Sequence, residues 1–361
     1  MPVVLPKSVS SDLSTPLSRV ELHVHLDGSP RHETLWELHK LKKNKLPGNG
    51  SFEEFKKSVV IQNPKNLAHY LSSFAYIMPS ISGDISAIER IAFEFGEDSY
   101  KRGVAYVESR FCPNLLLDKE KYPTVTSEDI LKAVLDGFKR AEKEFEVKIR
   151  VILCCIQGAE VFDNEILNLC TKYKDEGVVG IDHAGDEAQE PGLNGTMRNP
   201  SVITIFQEAK RLGIHRTVHA GESGPPESVK EALDEMYAER IGHGYHILED
   251  KSLYKRCLRD KIHFETCPIS SYLTGAVPLS TIRHPILTFA DDNANFSISS
   301  DDTAVNGCGL EEDMEIVRSW GLKEAHVLRA TFNAARASFL PTNEKNELLR
   351  NLRKVYGIDL E

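Results

Sequence analysis

Eight short runs of apolar and β-branched residues recur along the chain, with helical patterns between them. They are RVELHVHL (19–26), GVAYVESRF (103–111), KIRVILCC (148–155), GVVGIDHAG (177–185), HRTVHAG (215–221), ERIGHGY (239–245), KIHFETCP (261–268) and NFSISSDD (295–302). Runs of this kind read as strands. Eight strands alternating with helices predict an α/β fold, a (β/α)8 TIM-type barrel. An open doubly wound sheet is the alternative. It is disfavoured because no Gly-rich phosphate turn follows any early strand.

The stretch SEDILKAVLDGFKRAEKEF has Ser127 as its cap candidate and puts Ile130, Leu131, Val134, Leu135 and Phe138 on one helical face. PSVITIFQEAKRLG ends on Gly213, the expected C-cap. Residues 30–100 form a long helical insertion after the first strand, expected to cover one end of the barrel. Within it, LAHYLSSF places Leu67, Tyr70, Leu71 and Phe74 at helical spacing, as a core-packed helix or a lid over a substrate. Residues 1–17, rich in Ser and Pro, read as a loose N-terminal tail, and 18–361 as a single barrel domain.

A net charge of −10 argues against nucleic acid or an anionic membrane as the main partner. The basic run HKLKKNK (39–45) is followed by acidic FEEF and reads as a solvated face. Seven scattered cysteines, two of them adjacent at Cys154 and Cys155, give no disulfide framework. With no signal-like apolar segment and no membrane-length run, the expected location is cytoplasmic.

Barrel enzymes carry their chemistry at the C-terminal mouths of the strands. The first run ends on His23, His25 and Asp27, the fourth on Gly185, Asp186 and Glu187, and the fifth on His219, Gly221 and Glu222. The sixth ends on His243 and Gly244, and the eighth on Asp301 and Asp302. Strand alternation points His23 and His25 to the same side, where two imidazoles can share one ion. With His219 and Asp301 they make three nitrogens and a carboxylate, a set suited to one Zn2+ with a position left for water. No paired C-x-x-C exists, and HETLW has Trp36 where an H-E-x-x-H would need its second His. Singly, an H-x-H on a strand, a His beside a glycine or an Asp pair at a turn is ordinary. Jointly, all fall at strand ends. His183 beside Gly185 has no assignment, and the remaining histidines lie outside the pattern.

The set VELHVHLDG, GIDHAGDE, HRTVHAGE, RIGHGYHILED, CPISSYLTGA and SSDD closely resembles the adenosine deaminase family of the amidohydrolase superfamily. The resemblance runs in order from about Arg19 to the C-terminal FNAARASFLPTNEKNELLRNL and covers nearly the whole chain. It implies that His23, His25, His219 and Asp301 hold zinc. It implies that Glu222 protonates purine N1 and that His243 orients the attacking water. Asp302 would contact N7, the Gly185 backbone N3, and Asp27 the ribose 5′-hydroxyl, while Leu67, Tyr70, Leu71 and Phe74 would close over the ribose. The sequence departs from the family at Ile269, where Trp is common, at Thr303 (Pro), at His183 (an apolar residue) and at Tyr70 (Phe).

The implied reaction is hydrolytic deamination of adenosine, and by resemblance of 2′-deoxyadenosine, to inosine or 2′-deoxyinosine and ammonia, a step of purine salvage. Zinc lowers the pKa of its bound water towards ~7, and Asp301 or His243 takes the remaining proton. C6 becomes electrophilic once N1 is protonated, which needs Glu222 kept neutral by burial. Adenine or N6-substituted AMP would use the same chemistry. Asp27 favours a nucleoside, since a carboxylate accepts a hydroxyl and repels a phosphate. A non-catalytic signalling relative is the alternative from another class. The expected partner is a small-molecule purine nucleoside.

Overall fold

The computed structural model of the protein describes residues 16–187 and 197–358. Apart from Pro16 and Leu17, the tail expected over 1–17 lies outside the described residues. All eight strand runs form strands: β1 (Arg19–His25), β2 (Val104–Phe111), β3 (Lys148–Ile156), β4 (Val178–Ala184), β5 (His215–Ala220), β6 (Arg240–His243), β7 (His263–Thr266) and β8 (Asn295–Ile298). They pair in parallel in chain order. The circle closes through a single parallel bridge between Val24 and Asp301. There His25 N donates to Asp301 O at 2.8 Å, and Asp301 N donates to His23 O at 3.1 Å. The barrel therefore closes at the very residues expected to hold the metal.

The insertion after β1 holds α1 (His32–Leu41), α2 (Phe52–Val59), α3 (Leu67–Leu71), α4 (Phe74–Ile81) and α5 (Ile85–Lys101). Next come α6 (Ser127–Glu144), α7 (Asp163–Lys172), α8 (Pro200–Arg211), α9 (Pro226–Asp234) and α10 (Lys251–Asp260), one after each of β2 to β6. β7 is followed by α11 (Pro268–Leu273) and α12 (Pro285–Asp291). β8 is followed by α13 (Thr303–Asn306), α14 (Leu310–Trp320), α15 (Glu324–Ala337) and α16 (Thr342–Val355). Among the described residues, no helix is long and apolar enough to cross a membrane.

Local chemistry corrects three expectations. The cap of α6 is Thr126, not Ser127: its hydroxyl accepts from Asp129 N while the Asp129 carboxylate accepts from Thr126 N, a capping box. The cap position of α8 is Leu212, and Gly213 follows it at φ 68°, the left-handed residue that ends the helix. LAHYLSSF is not one helix. The chain turns at Ser72 and Ser73, so Leu67, Tyr70 and Leu71 lie on α3 and Phe74 opens α4.

Most of the apolar core lies between the barrel wall and the helices, and a second cluster of Val20, Leu22, Tyr106, Phe332, Leu340, Leu348 and Leu352 packs against α15 and α16. Val20 and Leu22 belong to this second cluster, but Val24 packs in the first. The β1–β2 register shifts between Glu21 and Val24. His23 and His25, two residues apart on this strand, stand with ring centroids 5.5 Å apart.

Candidate metal centre and active site

The barrel interior beneath the mouth is filled by charge. Arg110 Nη1 lies 2.9 Å from Asp182 Oδ2, and its Nη2 lies 2.7 Å from Glu265 Oε2. Arg240 lies 2.6 Å from both Glu108 and Glu265. All of these side chains are buried. Burial opposes ionisation of Glu265 and Asp182, yet Arg110 and Arg240 beside Glu265, and His219 and Arg110 beside Asp182, hold both well below the usual carboxylate range.

These two carboxylates orient the metal-type histidines. His23 Nδ1 lies 2.7 Å from Glu265 Oε2, and His219 Nδ1 lies 2.9 Å from Asp182 Oδ2. An ionised carboxylate accepts a hydrogen bond from Nδ1–H, which turns the Nε2 lone pair of each imidazole to the mouth. His25 Nε2 faces His219 Nε2 at 3.2 Å, and Asp301 Oδ1 lies 3.4 Å from Nε2 of both His23 and His25. His23 Nε2 is buried without a hydrogen-bond partner. Lone pairs converging on one point fit a cation. Two groupings have metal-ligand proximity: His23, His25 and His219, and His23, His243, Cys267 and Asp301. Of the second, burial and the nearby Asp301 charge push the Cys267 thiol well above its ordinary value, which disfavours it as a thiolate ligand. The donor set of three imidazoles and Asp301 fits zinc.

Backbone strain sits at the same place. His243 and Asp301 adopt φ 61° and 65°, a region that costs a non-glycine residue about 1–3 kcal/mol. Asp301 is held there by its bridge to β1 and by Ser270 Oγ, which donates to its Oδ2 at 2.6 Å. Burial opposes Asp301 ionisation, but the imidazole of His23, and beyond it those of His243 and His25, keep it well below the usual range.

Above this centre opens a cavity of about 400 Å³, within the range of small-ligand sites. His25, Asp27, Leu67, Tyr70, Leu71, Phe74, Gly185, His219, Glu222, His243, Asp301 and Asp302 all line it. Of the residues to which the resemblance gives a role, His23 alone does not, lying fully buried behind the others; Asp186, Glu187, Gly221 and Gly244 at the strand ends also stand outside the lining. Met78, Leu115, Ile156 and Ala184 complete the wall, with no arginine or lysine among the described lining residues. The cavity thus pairs an apolar side with a carboxylate-rich one.

On that polar side three carboxylates keep an oxygen without a partner: Asp27 Oδ1, Glu222 Oε1 and Asp302 Oδ1. Burial, the Asp301 charge and Glu187 push Glu222 well above the usual range. Burial, with Asp301 and Asp27 nearby, does the same to Asp302. Burial alone pushes Asp27 up to about 7. His243 Nε2 lies 3.5 Å from Glu222 Oε2 and 4.0 Å from Asp301 Oδ2. Burial and the neighbouring His23 keep His243 well below its ordinary value, hence neutral.

Tyr70 differs from its expected place in a purely apolar lid. Its buried hydroxyl lies 2.8 Å from Asn306 Oδ1 and 3.1 Å from Asp302 Oδ2. Asn306 Nδ2 donates to Ser300 O at 2.8 Å, which turns Oδ1 towards the phenol. Sequence reasoning missed Asp182, Glu265, Arg110 and Asn306. Alternating charges within otherwise apolar strands (E108 and R110 in VESRF, E265 in HFET) were the available signal, since an inward pair two residues apart needs counter-charges across the barrel.

The sequence model of the family described as Adenosine deaminase matches residues 18–355. The chain is 44% identical over 351 residues to the adenosine deaminase of Xenopus laevis, covering 95% of this chain and 96% of that protein. It is 42% identical to that of Mus musculus (94% and 97% covered) and 32% to that of Clostridium botulinum (94% and 98%). In fold it resembles the adenine deaminase of Arthrobacter aurescens, with a TM-score of 0.81 at 22% identity, covering 94% of this chain and 99% of that one. It also resembles the N6-mAMP deaminase of Arabidopsis, with a TM-score of 0.80 at 24% identity, covering 95% and 98%. A parallel eight-stranded barrel, a buried His/Asp metal-type group at its mouth and full-length similarity converge: the chain belongs to the adenosine deaminase family, whose members are hydrolases.

Proposed function

We propose that residues 18–361 act as one zinc-dependent deaminase domain that converts adenosine, and 2′-deoxyadenosine, to inosine or 2′-deoxyinosine and ammonia. One observation carries this reading. The metal-type histidines open onto a half-apolar cavity whose unpartnered polar atoms, on Asp27, Glu222 and Asp302, match the polar edges of a purine nucleoside.

His23, His25, His219 and Asp301 would hold one zinc ion, which when bound supplies the Lewis acidity that brings the pKa of the attacking water down to ~7. Glu222, kept protonated by burial, gives its proton to N1 and makes C6 electrophilic. His243, neutral and 3.5 Å from Glu222, orients the water and stabilises the charge that develops as it adds to C6. Asp302 offers N7 a proton from an uncharged carboxyl, and the Gly185 backbone faces N3. Leu67, Leu71 and Phe74, with the ring of Tyr70, exclude water from the ribose side.

Asp27 and the absence of arginine or lysine from the described lining favour a nucleoside over a nucleotide, since a 5′-phosphate beside Asp27 would find no guanidinium or ammonium to pair with. The apolar wall gives ribose a place that free adenine would leave empty. Seven free cysteines, six of them buried, support a reducing, cytoplasmic location.

The test is to incubate the zinc-loaded protein with adenosine, AMP, N6-methyl-AMP and adenine and to follow the loss of the adenine absorbance band. Adenosine turns over fastest in this reading. Turnover of a nucleotide without adenosine overturns the substrate, and full activity after exhaustive chelation overturns the metal.

A further inference from the structure

Between β5 and α9 the chain carries Gly221, Glu222, Ser223 and Gly224 outside any helix or strand. Buried backbone N–H groups in such a segment need acceptors. Gly221 N donates to Glu187 Oε1 at 3.3 Å, and Glu222 N and Gly224 N donate to Glu187 Oε2 at 3.1 and 3.2 Å. Ser228 Oγ also donates to Glu187. One carboxylate from the β4 end thus gathers the segment that bears Glu222.

That carboxylate is itself held. Arg198 Nη2 lies 3.0 Å from Glu187 Oε1 and donates to His219 O at 2.8 Å. Arg198 Nη1 donates to Ser228 O at 3.1 Å and lies 3.4 Å from Glu231 Oε1. The side chains of Arg198 and Glu187 are only 2% and 7% exposed, so their contacts act in a medium where charge-assisted bonds are strong. Arg198 Nε points at His183 Nδ1 at 3.3 Å, and burial together with Arg198 pushes that imidazole down to about 3, leaving it a neutral acceptor. His183, without an assignment from sequence, belongs to this support.

We propose that Glu187 is a positioning residue for Glu222: held by Arg198, it fixes the backbone of Gly221–Gly224 and so sets where the Glu222 carboxyl stands relative to the strand end that carries His219. This rests on the reading of Glu222 as the proton donor to the purine. Glu187 is not among the residues that line the cavity.

Gly224 offers an independent handle. A Cβ there would come within 2.9 Å of Glu187 Cβ and 3.0 Å of its Cδ, so Gly224→Ala displaces the carboxylate without altering any charge. Glu187→Gln keeps the shape but turns an amide NH2 towards backbone donors.

The experiment is a double-mutant cycle with a second, substrate-independent readout. Glu187→Gln and Gly224→Ala each lower kcat about 10–100-fold, as misplacement of a reacting group by ~1 Å does, while KM stays within about threefold. Glu187→Asp restores part of the loss. In a Glu222→Gln background, Glu187→Gln changes kcat by less than about threefold, because two residues acting as one unit are not additive. Amide hydrogen exchange over residues 219–228 speeds up at least about tenfold in Glu187→Gln, with zinc content unchanged. An equal penalty in both backgrounds overturns the proposal, as does unaltered exchange. Wild-type protein inactive on adenosine would overturn the substrate reading instead, and the exchange measurement would still decide the role of Glu187.

Discussion

Glu222 and Asp302 are carboxyl groups whose surroundings favour the protonated form, while Asp301 between them stays ionised. Neighbouring acids with opposed protonation suit the proposed division of labour, in which Glu222 would donate a proton, Asp302 would position the purine and Asp301 would hold a cation. Glu222→Gln should lower kcat about 10²–10⁴-fold with zinc content intact, measured by steady-state kinetics and metal analysis. Full retained rate would remove Glu222 from the proton transfer. Tyr70 is a second residue-scale case. Tyr70→Phe leaves Asn306 Oδ1 and Asp302 Oδ2 without their phenol partner in a buried place. Denaturant unfolding should show a loss of about 1–3 kcal/mol despite a perfect fit of the ring, and an unchanged midpoint would show that water replaces the hydroxyl. Both residues stand out in the sequence as types, but their protonation and partners depend on neighbours remote in the chain, Asp301 and Glu187 for Glu222, Asp302 and Asn306 for Tyr70.

At the scale of elements, the turn from β1 into α1 carries unusual constraint. Gly28 runs so close to α13 that a Cβ would lie 1.6 Å from Asp302 Oδ1, and Gly28 O accepts from Ala304 N at 3.0 Å. Gly28→Ala should therefore displace Asp302 and cut kcat/KM for adenosine at least about tenfold while zinc still binds. Normal kinetics in that variant would show that the β1 turn can move aside. The glycine of H-L-D-G is visible in the sequence, but its reason lies across the mouth in Asp302, at the start of α13. The break in LAHYLSSF was not visible either. Its apolar residues keep helical spacing through Ser72 and Ser73, so periodicity alone joins what the backbone separates into α3 and α4. The β1–β2 register shift escaped for the same reason: pairing register is set between strands and leaves no mark in composition.

At the scale of the whole molecule, the barrel is braced from inside by ions and from outside by apolar packing. Asp182 and Glu265 link that ionic interior to His219 and His23. Asp182→Asn should weaken zinc binding about 10–100-fold, read by competition with a chelating dye, because an amide holds the His219 tautomer less firmly. Unchanged affinity would separate the interior network from the metal site. Outside the cavity lining, His284 accepts from Ile286 N at 3.1 Å through Nδ1 and lies 2.9 Å from Ser271 Oγ through Nε2. Burial pushes its pKa down to about 3. Below the ordinary histidine value of about 6.5, the unfolded chain takes up a proton that the folded chain refuses. The stability owed to neutral His284 is complete above that value and is lost as pH falls towards 3. Denaturant unfolding at pH 7 and pH 5 should show a smaller drop for His284→Asn, which can still cap α12, than for wild type. Equal drops would place the acid sensitivity elsewhere.

The eight strand runs, their parallel order with intervening helices, and the ligand-type residues at the strand ends were all legible in the chain, because side-chain period and residue chemistry are local properties. Full-length likeness to the family could be read from the same motifs. What only the tertiary structure decided is which atoms meet. Barrel closure at Val24 and Asp301 brings residues nearly 280 positions apart into one bridge. It also sets Glu265 and Asp182 behind the histidines and gathers the segment bearing Glu222 onto Glu187. Those pairings depend on burial and on distances across the barrel, where electrostatic effects fall off in space rather than along the sequence.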